Sequence, residues 1–306
     1  MLPAGSVPPT SFDPESHLSA DGYTAPAIDA AKQQQAALES VTVAERPAGR
    51  RTRTFAQAPA TYLLLGINIA VYLWMLHKGV DRLTPSPEDL IRFGANNAEA
   101  VLLGHQWWRV VTAMFVHVGL VHLATNMWCL WNLGLIGEPL LGLFGMCSVY
   151  LLTGVAGNLL SIAANVIQRQ YGEVGAGASG AVFGLAGILI VLFSNKRLAQ
   201  PRPGFVGIPL RELHAIRRSV ISFAALNLLI GAGTMVRPLM QGIGLGELRI
   251  DNMAHLGGFS SGLLLGIPLL ARMTTGRVRY LQRQRLTFGA AALVLALFAV
   301  FVRALR

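Results

Sequence analysis

Charge is what this chain most conspicuously lacks. Only 13% of its 306 residues are Asp, Glu, Lys or Arg, against about 25% in an ordinary soluble domain. Cysteine is nearly missing too: Cys129 and Cys147 are the only two, both inside apolar stretches. That excludes a disulfide framework and a cysteine-based zinc site, and it leaves the pair as small buried packing residues. No acidic residue lies in the middle of a long apolar run, and no clear internal repeat is present. A transporter or channel, which would show repeats or intramembrane carboxylates along a pathway, is disfavoured on both counts. No secretory signal peptide is expected, because residues 1–57 are polar and rich in Pro, Ala and Gln. They read as a mostly disordered cytoplasmic tail with a short helix near Ala30–Leu38.

What is abundant is apolar. Hydrophobic residues make up 53% of the chain and the mean hydropathy is +0.50, the profile of an all-α polytopic membrane protein. A helix needs about 20 apolar residues to cross the hydrocarbon core. Candidate spans lie near Tyr62–Leu76, Gly119–Ile136, Leu140–Ile162, Ser179–Phe193, Val220–Met235, Met253–Leu270 and Phe288–Val302. The first six form one block over residues 58–272; residues 273–306 hold an Arg-rich linker and the seventh.

The net charge of +10 is concentrated between these runs, which marks membrane topology and not nucleic-acid binding. Lys32, Arg46, Arg50, Arg51 and Arg53 precede the first span. Lys196, Arg197, Arg202, Arg211, Arg217 and Arg218 separate the fourth from the fifth, and Arg272, Arg277, Arg279, Arg283 and Arg285 separate the sixth from the seventh. Together they are most of the 25 basic residues, so the positive-inside rule places the N-terminus in the cytoplasm. The His77–His117 connection is then external. It is too long for a turn, and Trp107, Trp108 and Arg109 within it suit an amphipathic segment at the membrane interface.

Polar residues inside spans are expensive and mark function. His122 and Asn126 stand four residues apart in span two, on one helical face. Span four opens at Gly177-Ala178-Ser179-Gly180, and span six carries His255 near its outer end. All three spans enter from outside, so these groups share a depth about one turn below the outer face. A serine at one depth with a histidine and a His/Asn pair suits acyl transfer. His255 can take the proton of Ser179, while His122, Asn126 and the free backbone N–H of Ser179 can donate to an oxyanion. Gly180, Gly184 and Gly187 face span six, which has Gly258, Gly262 and Gly266; small residues let two helices approach. Phe183, one turn below Ser179, is placed to stack on His255. Asp251 reads as the N-cap of span six, with a third catalytic position as the alternative. His105 and His117 read as solvated interface residues, and Asn158 as a partner across helices or to loop backbone.

Taken together, Trp108-Arg109, His122-x-x-x-Asn126, Gly177-Ala-Ser179-Gly180, Ala254-His255-Leu-Gly-Gly258 and Gly134-x-x-x-Glu138 resemble the rhomboid intramembrane proteases over about residues 60–272. The resemblance implies a six-helix core and a Ser179–His255 dyad without an acid. It implies oxyanion roles for His122 and Asn126, a structural role for Glu138, and hydrolysis of a peptide bond in a membrane-anchored substrate without cofactor or metal. The seventh span is similar to a "six plus one" variant of the family. Expected partners are single-pass membrane proteins and the lipid bilayer. The expected location is an integral position in a membrane, a bacterial inner membrane on the chain's Ala and Arg richness, with an organelle membrane as the alternative. Span five with the Arg237–Ile250 loop is the expected lateral gate and cap. The alternative is a catalytically inactive rhomboid-like protein that binds membrane clients; such proteins typically lack the serine or the histidine, and both are present here.

Overall fold

A computed structural model describes residues 58–201, 207–233, 251–271, 274 and 276–305. The expected N-terminal tail with its short helix, and the Arg237–Ile250 loop, lie outside the described residues. Helices dominate: α1 (Pro59–His77), α2 (Pro87–Arg92), α3 (Ala98–Leu102), α4 (Arg109–Thr112), α5 (Gly119–Ile167), α6 (Ser179–Leu192), α7 (Leu210–Gly233), α8 (Asn252–Leu270) and α9 (Arg277–Ala304). Among the described residues the one sheet is a two-residue antiparallel ladder, β1 (Asn96–Asn97) with β2 (Val174–Gly175), pairing Asn96 with Gly175 and Asn97 with Val174. α1, α5, α8 and α9 are long and apolar enough to cross a membrane, and the chain is an all-α polytopic membrane protein.

Spans two and three form one continuous element, α5, broken at Gly142, where φ is 71° and ψ is 172°. Glycine adopts that conformation without penalty. Pro139 just before it has no N–H to give the ladder. The arm before Gly142 carries His122 and Asn126, and the arm after it extends to Ile167, five residues past the predicted end. The fifth span also differs: α7 starts at Leu210, ten residues before the predicted Val220. Its buried positions Leu213, Val220 and Ala224 recur at helical spacing, while Arg211, Glu212 and Arg218 stay exposed. The helix therefore begins as a charged stretch with an apolar stripe, which an apolar-run criterion starts too late.

α6 sits at the centre. Nearly all its side chains are buried, from Ala181, Val182 and Phe183 to Leu189 and Leu192, and the main core forms around it from α1, α5, α7 and α8. Its 14 residues make a helix about 21 Å long, short of the roughly 30 Å hydrocarbon core. Cys129 and Cys147 are free and half-buried at the edge of this core, less enclosed than their apolar context predicts.

Two polar contacts tie the spans together at depth. The Glu138 carboxylate, 3% exposed, accepts the Ala60 N–H at 2.8 Å and both the N–H and hydroxyl of Thr61 at 2.8 and 2.7 Å. It thus supplies acceptors to the first turn of α1, whose donors have no helical partner. On α9, Tyr280, Gln284 and Phe288 are buried at four-residue spacing, and Gln284 Nε2 donates to the Leu141 carbonyl beside the α5 break at 2.8 Å.

The His77–His117 connection is folded, not merely laid on an interface. Arg109 is buried, with Nε on Gln106 at 2.6 Å and Nη1 on the Ile91 and Ala95 carbonyls at 2.5 and 3.1 Å. Its guanidinium lies 4.6 Å from the Trp108 ring centroid. Asn158 Nδ2 donates to Val110 O, and Asn96 Nδ2 to Asn158 O, so the loop is stitched to the second arm of α5.

Candidate active site

The β1–β2 ladder delivers the chain to the nucleophile position. Gly177 N–H donates to the Ala113 carbonyl at 2.9 Å, and its φ of 131° is one that L side chains rarely adopt. There is no room for a side chain either: a Cβ would lie 2.6 Å from His122 Cε1 and 3.0 Å from His122 Nε2. This glycine is what lets the His122 ring reach the segment that carries Ser179. Ser179 opens α6 and is half-buried. Its backbone N–H is among the unpaired donors of a helix start, at the positive end of the peptide dipoles.

His122 has a defined hydrogen-bonding state. Its Nδ1 accepts the Val118 N–H at 3.3 Å, so in the neutral ring the proton sits on Nε2, the nitrogen on the Gly177 side. Asn126 lies on the same face and is buried; its Nδ2 donates to the His122 carbonyl at 2.9 Å, leaving a second amide hydrogen.

The histidine helix, α8, meets the serine helix through glycine. A Cβ on Gly258 would overlap the Gly180 carbonyl, and one on Gly262 the Gly184 carbonyl. A Cβ on Gly180 would lie 3.3 Å from Ala254 O. The predicted facing ridges are therefore in backbone contact, with Gly266 continuing the seam against Val191. Within it the His255 ring stacks on Phe183, centroids 4.4 Å apart and planes 24° off parallel. His255 is 7% exposed, and its Nδ1 is buried without a hydrogen-bond partner. Among the described residues Ser179 Oγ donates no hydrogen bond to it; such bonds are often long before substrate binds.

Asp251 caps α8 as predicted: its side chain accepts the Ala254 N–H at 2.9 Å. The other carboxylate oxygen accepts the Ser161 hydroxyl at 2.5 Å. Desolvation raises the pKa of this carboxyl, against the pull of the Ser161 and Ala254 donors. It is engaged in that cap and clip, away from a third catalytic position.

His117 departs from expectation. It is fully buried, not solvated, with Nδ1 3.3 Å from Phe115 O and its ring 5.4 Å from that of His122. Sequence position just before α5 gave no sign of this burial. His105 is exposed, as expected.

A half-buried serine thus opens a helix one turn above Phe183, on which a buried histidine stacks, and a second histidine lies against the glycine two residues before the serine. A family model described as the Rhomboid domain matches residues 104–272. The chain is 30% identical over 213 residues to the Rhomboid protease GluP of Bacillus subtilis (strain 168), covering 68% of this chain and 35% of that protein. It is 31% identical over 199 residues to RHOMBOID-like protein 2 of Arabidopsis thaliana, covering 63% and 51%. It is 30% identical over 220 residues to the Rhomboid protease AarA of Providencia stuartii, covering 69% and 72%. The chain belongs to the rhomboid family. It spans about a third of the length of the first of these relatives and about half of the second.

Proposed function

We propose that this protein is an intramembrane serine endopeptidase that cuts single-pass membrane proteins near the outer face of the bilayer. The observation that carries the reading is the glycine seam between α6 and α8, which sets His255 against Phe183 one turn below Ser179. In this mechanism Ser179 Oγ attacks the scissile carbonyl carbon as His255 takes its proton, and His255 then passes that proton to the leaving amine. The oxyanion receives the Nε2–H of His122, the spare amide hydrogen of Asn126 and the backbone N–H of Ser179. Water then hydrolyses the acyl-enzyme, with His255 as base again. No carboxylate is required, and Asp251 is occupied elsewhere.

The length of α6 supports the site's depth. With its inner end at the cytoplasmic boundary, a helix of about 21 Å leaves Ser179 below the outer boundary of a ~30 Å core, so water must reach it through a cavity open to the outer side. A regular substrate helix hides its backbone, so substrates are those whose outer helix end unwinds, with Gly, Ala, Ser or Pro near it. The topology of this reading has the N-terminus cytoplasmic, residues 58–272 as the protease domain and α9 as an addition. The basic clusters support that orientation, in a bacterial inner membrane.

The test is cleavage of a single-pass model substrate in liposomes together with labelling by a fluorophosphonate. Wild type should cut and be labelled at Ser179. Ser179→Ala should lose both, and His255→Ala should lose cleavage while remaining folded. Near-wild-type turnover by Ser179→Ala sinks the proposal.

A further inference from the structure

Asp251 does more than end a helix, and it stands outside the mechanism above. Its carboxylate joins three elements. One oxygen accepts the Ala254 N–H at 2.9 Å; the other accepts the Ser161 hydroxyl of α5 at 2.5 Å. A Cβ on Gly175, in the strand four residues before Ser179, would lie 3.0 Å from that second oxygen. The Asp251 backbone carbonyl also accepts the His255 N–H at 3.1 Å. His255 thus closes the first turn of α8, whose earlier donors lack helical partners and whose shape a cap helps to hold.

The clip to Ser161 fixes a second coordinate. α8 lies against the second arm of α5 with almost no spacing: a Cβ on Gly157 would sit 2.5 Å from Ala254 O, and one on Gly257 would sit 3.0 Å from Ala156 O. With glycine at these points little side chain stands between the backbones, so the contact alone resists sliding only weakly. Ser161, one turn beyond Gly157, is the directional bond at the end of this seam. From these contacts we infer that Asp251 is a positioning residue: it holds His255 in register with Ser179 by clipping the first turn of α8 to Ser161, beside the strand that leads to the nucleophile.

This rests on Ser179 and His255 being the reacting pair, and the experiment keeps the two ideas apart. The readouts are the second-order rate of Ser179 modification by a fluorophosphonate, and kcat and KM on a single-pass model substrate. All are measured on full-length protein well below the melting temperature of each variant. Asp251→Ala removes cap and clip, and both kcat and labelling rate should fall about tenfold or more with KM within about twofold, as a lost cap and a lost charged hydrogen bond imply. Ser161→Ala removes the clip alone and should fall severalfold. The double variant should be no slower than Asp251→Ala, because both changes break one contact. Asp251→Asn keeps an oxygen for Ala254 and an amide that can donate to Ser161, so it should recover most of the rate. A folded Asp251→Ala that is labelled at the wild-type rate overturns the inference and leaves the residue a stability cap. Should Asp251→Ala not fold, a wild-type rate in Ser161→Ala overturns it equally. A wild-type protein that the probe does not label at Ser179 refutes the dyad instead.

Discussion

The serine helix and the last helix are built from the same kind of residue and end in opposite surroundings. α6 is short and enclosed on nearly every side. α9 is strongly apolar yet mostly unburied; Leu293, Val294, Leu297 and Val300 all face outward. In water such a face would drive association, but in a bilayer lipid tails are as apolar as leucine. Burial then follows the small residues. The glycines of α6 and α8 admit each other's backbones, whereas Gly289 on α9 faces open space, with nothing within 4 Å of a built Cβ. Close packing at the site and loose attachment at the periphery are thus two outcomes of where glycine is placed.

The sharpest way to break this contrast is to give both helices the same methyl group. Gly258→Ala drives a Cβ into the Gly180 carbonyl; with backbone on the far side there is nothing soft to yield, and destabilisation should reach about 3 kcal/mol or more. Cleavage should disappear and thermal unfolding in detergent should shift down by several degrees. Gly289→Ala should leave both unchanged or slightly improved, since alanine favours helix by about 1 kcal/mol. Equal effects of the two changes would mean that the seam is softer than described.

Smaller, and confined to the site, is the loss of the ring under His255. Phe183→Leu keeps the bulk and removes the stack. Aromatic pairs add about 0.5–1.5 kcal/mol beyond burial, so kcat should drop roughly threefold to tenfold with little change in melting. Loss of stability without loss of rate would make Phe183 a filler and not a platform.

Smallest in its effect on cleavage is the change on the loose helix itself. Gln284→Leu removes the donor to Leu141 O and should cost about 0.5–1.5 kcal/mol, the net worth of one buried hydrogen bond. The protein should melt earlier while the folded fraction keeps its cleavage rate. A large fall in kcat at full folding would show that α9 is part of the catalytic assembly after all.

Much of this site was legible in residue order. Glycines four apart on two helices predicted the seam, and Phe183 four residues past Ser179 predicted the ring under His255, because helical geometry carries that spacing directly. The N-cap at Asp251 was legible for the same local reason. What stayed hidden depends on distant partners. β1 and β2 are two residues each and have no periodicity to read. The clip from Ser161 to Asp251 joins residues 90 apart. His117 and Arg109 sit where a sequence reads interface, and only the folding of the connection before α5 buries them. The buried stripe Tyr280, Gln284, Phe288 did carry a signal, a glutamine at helical spacing between aromatics, but it precedes the apolar run from which the seventh span is recognised.

The contact between Gln284 and Leu141 also sets an order in time. The carbonyl beside the Gly142 break takes its donor from a residue 143 positions later. At about 5–20 residues per second, the ribosome reaches Gln284 roughly 7 to 30 s after it has made Leu141. The emerging α5 hairpin must wait through that interval in the translocon or in lipid with its bend still open. Completion of the transmembrane bundle is therefore tied to the synthesis of α9, and a chain truncated before α9 would leave that bend without the Gln284 donor.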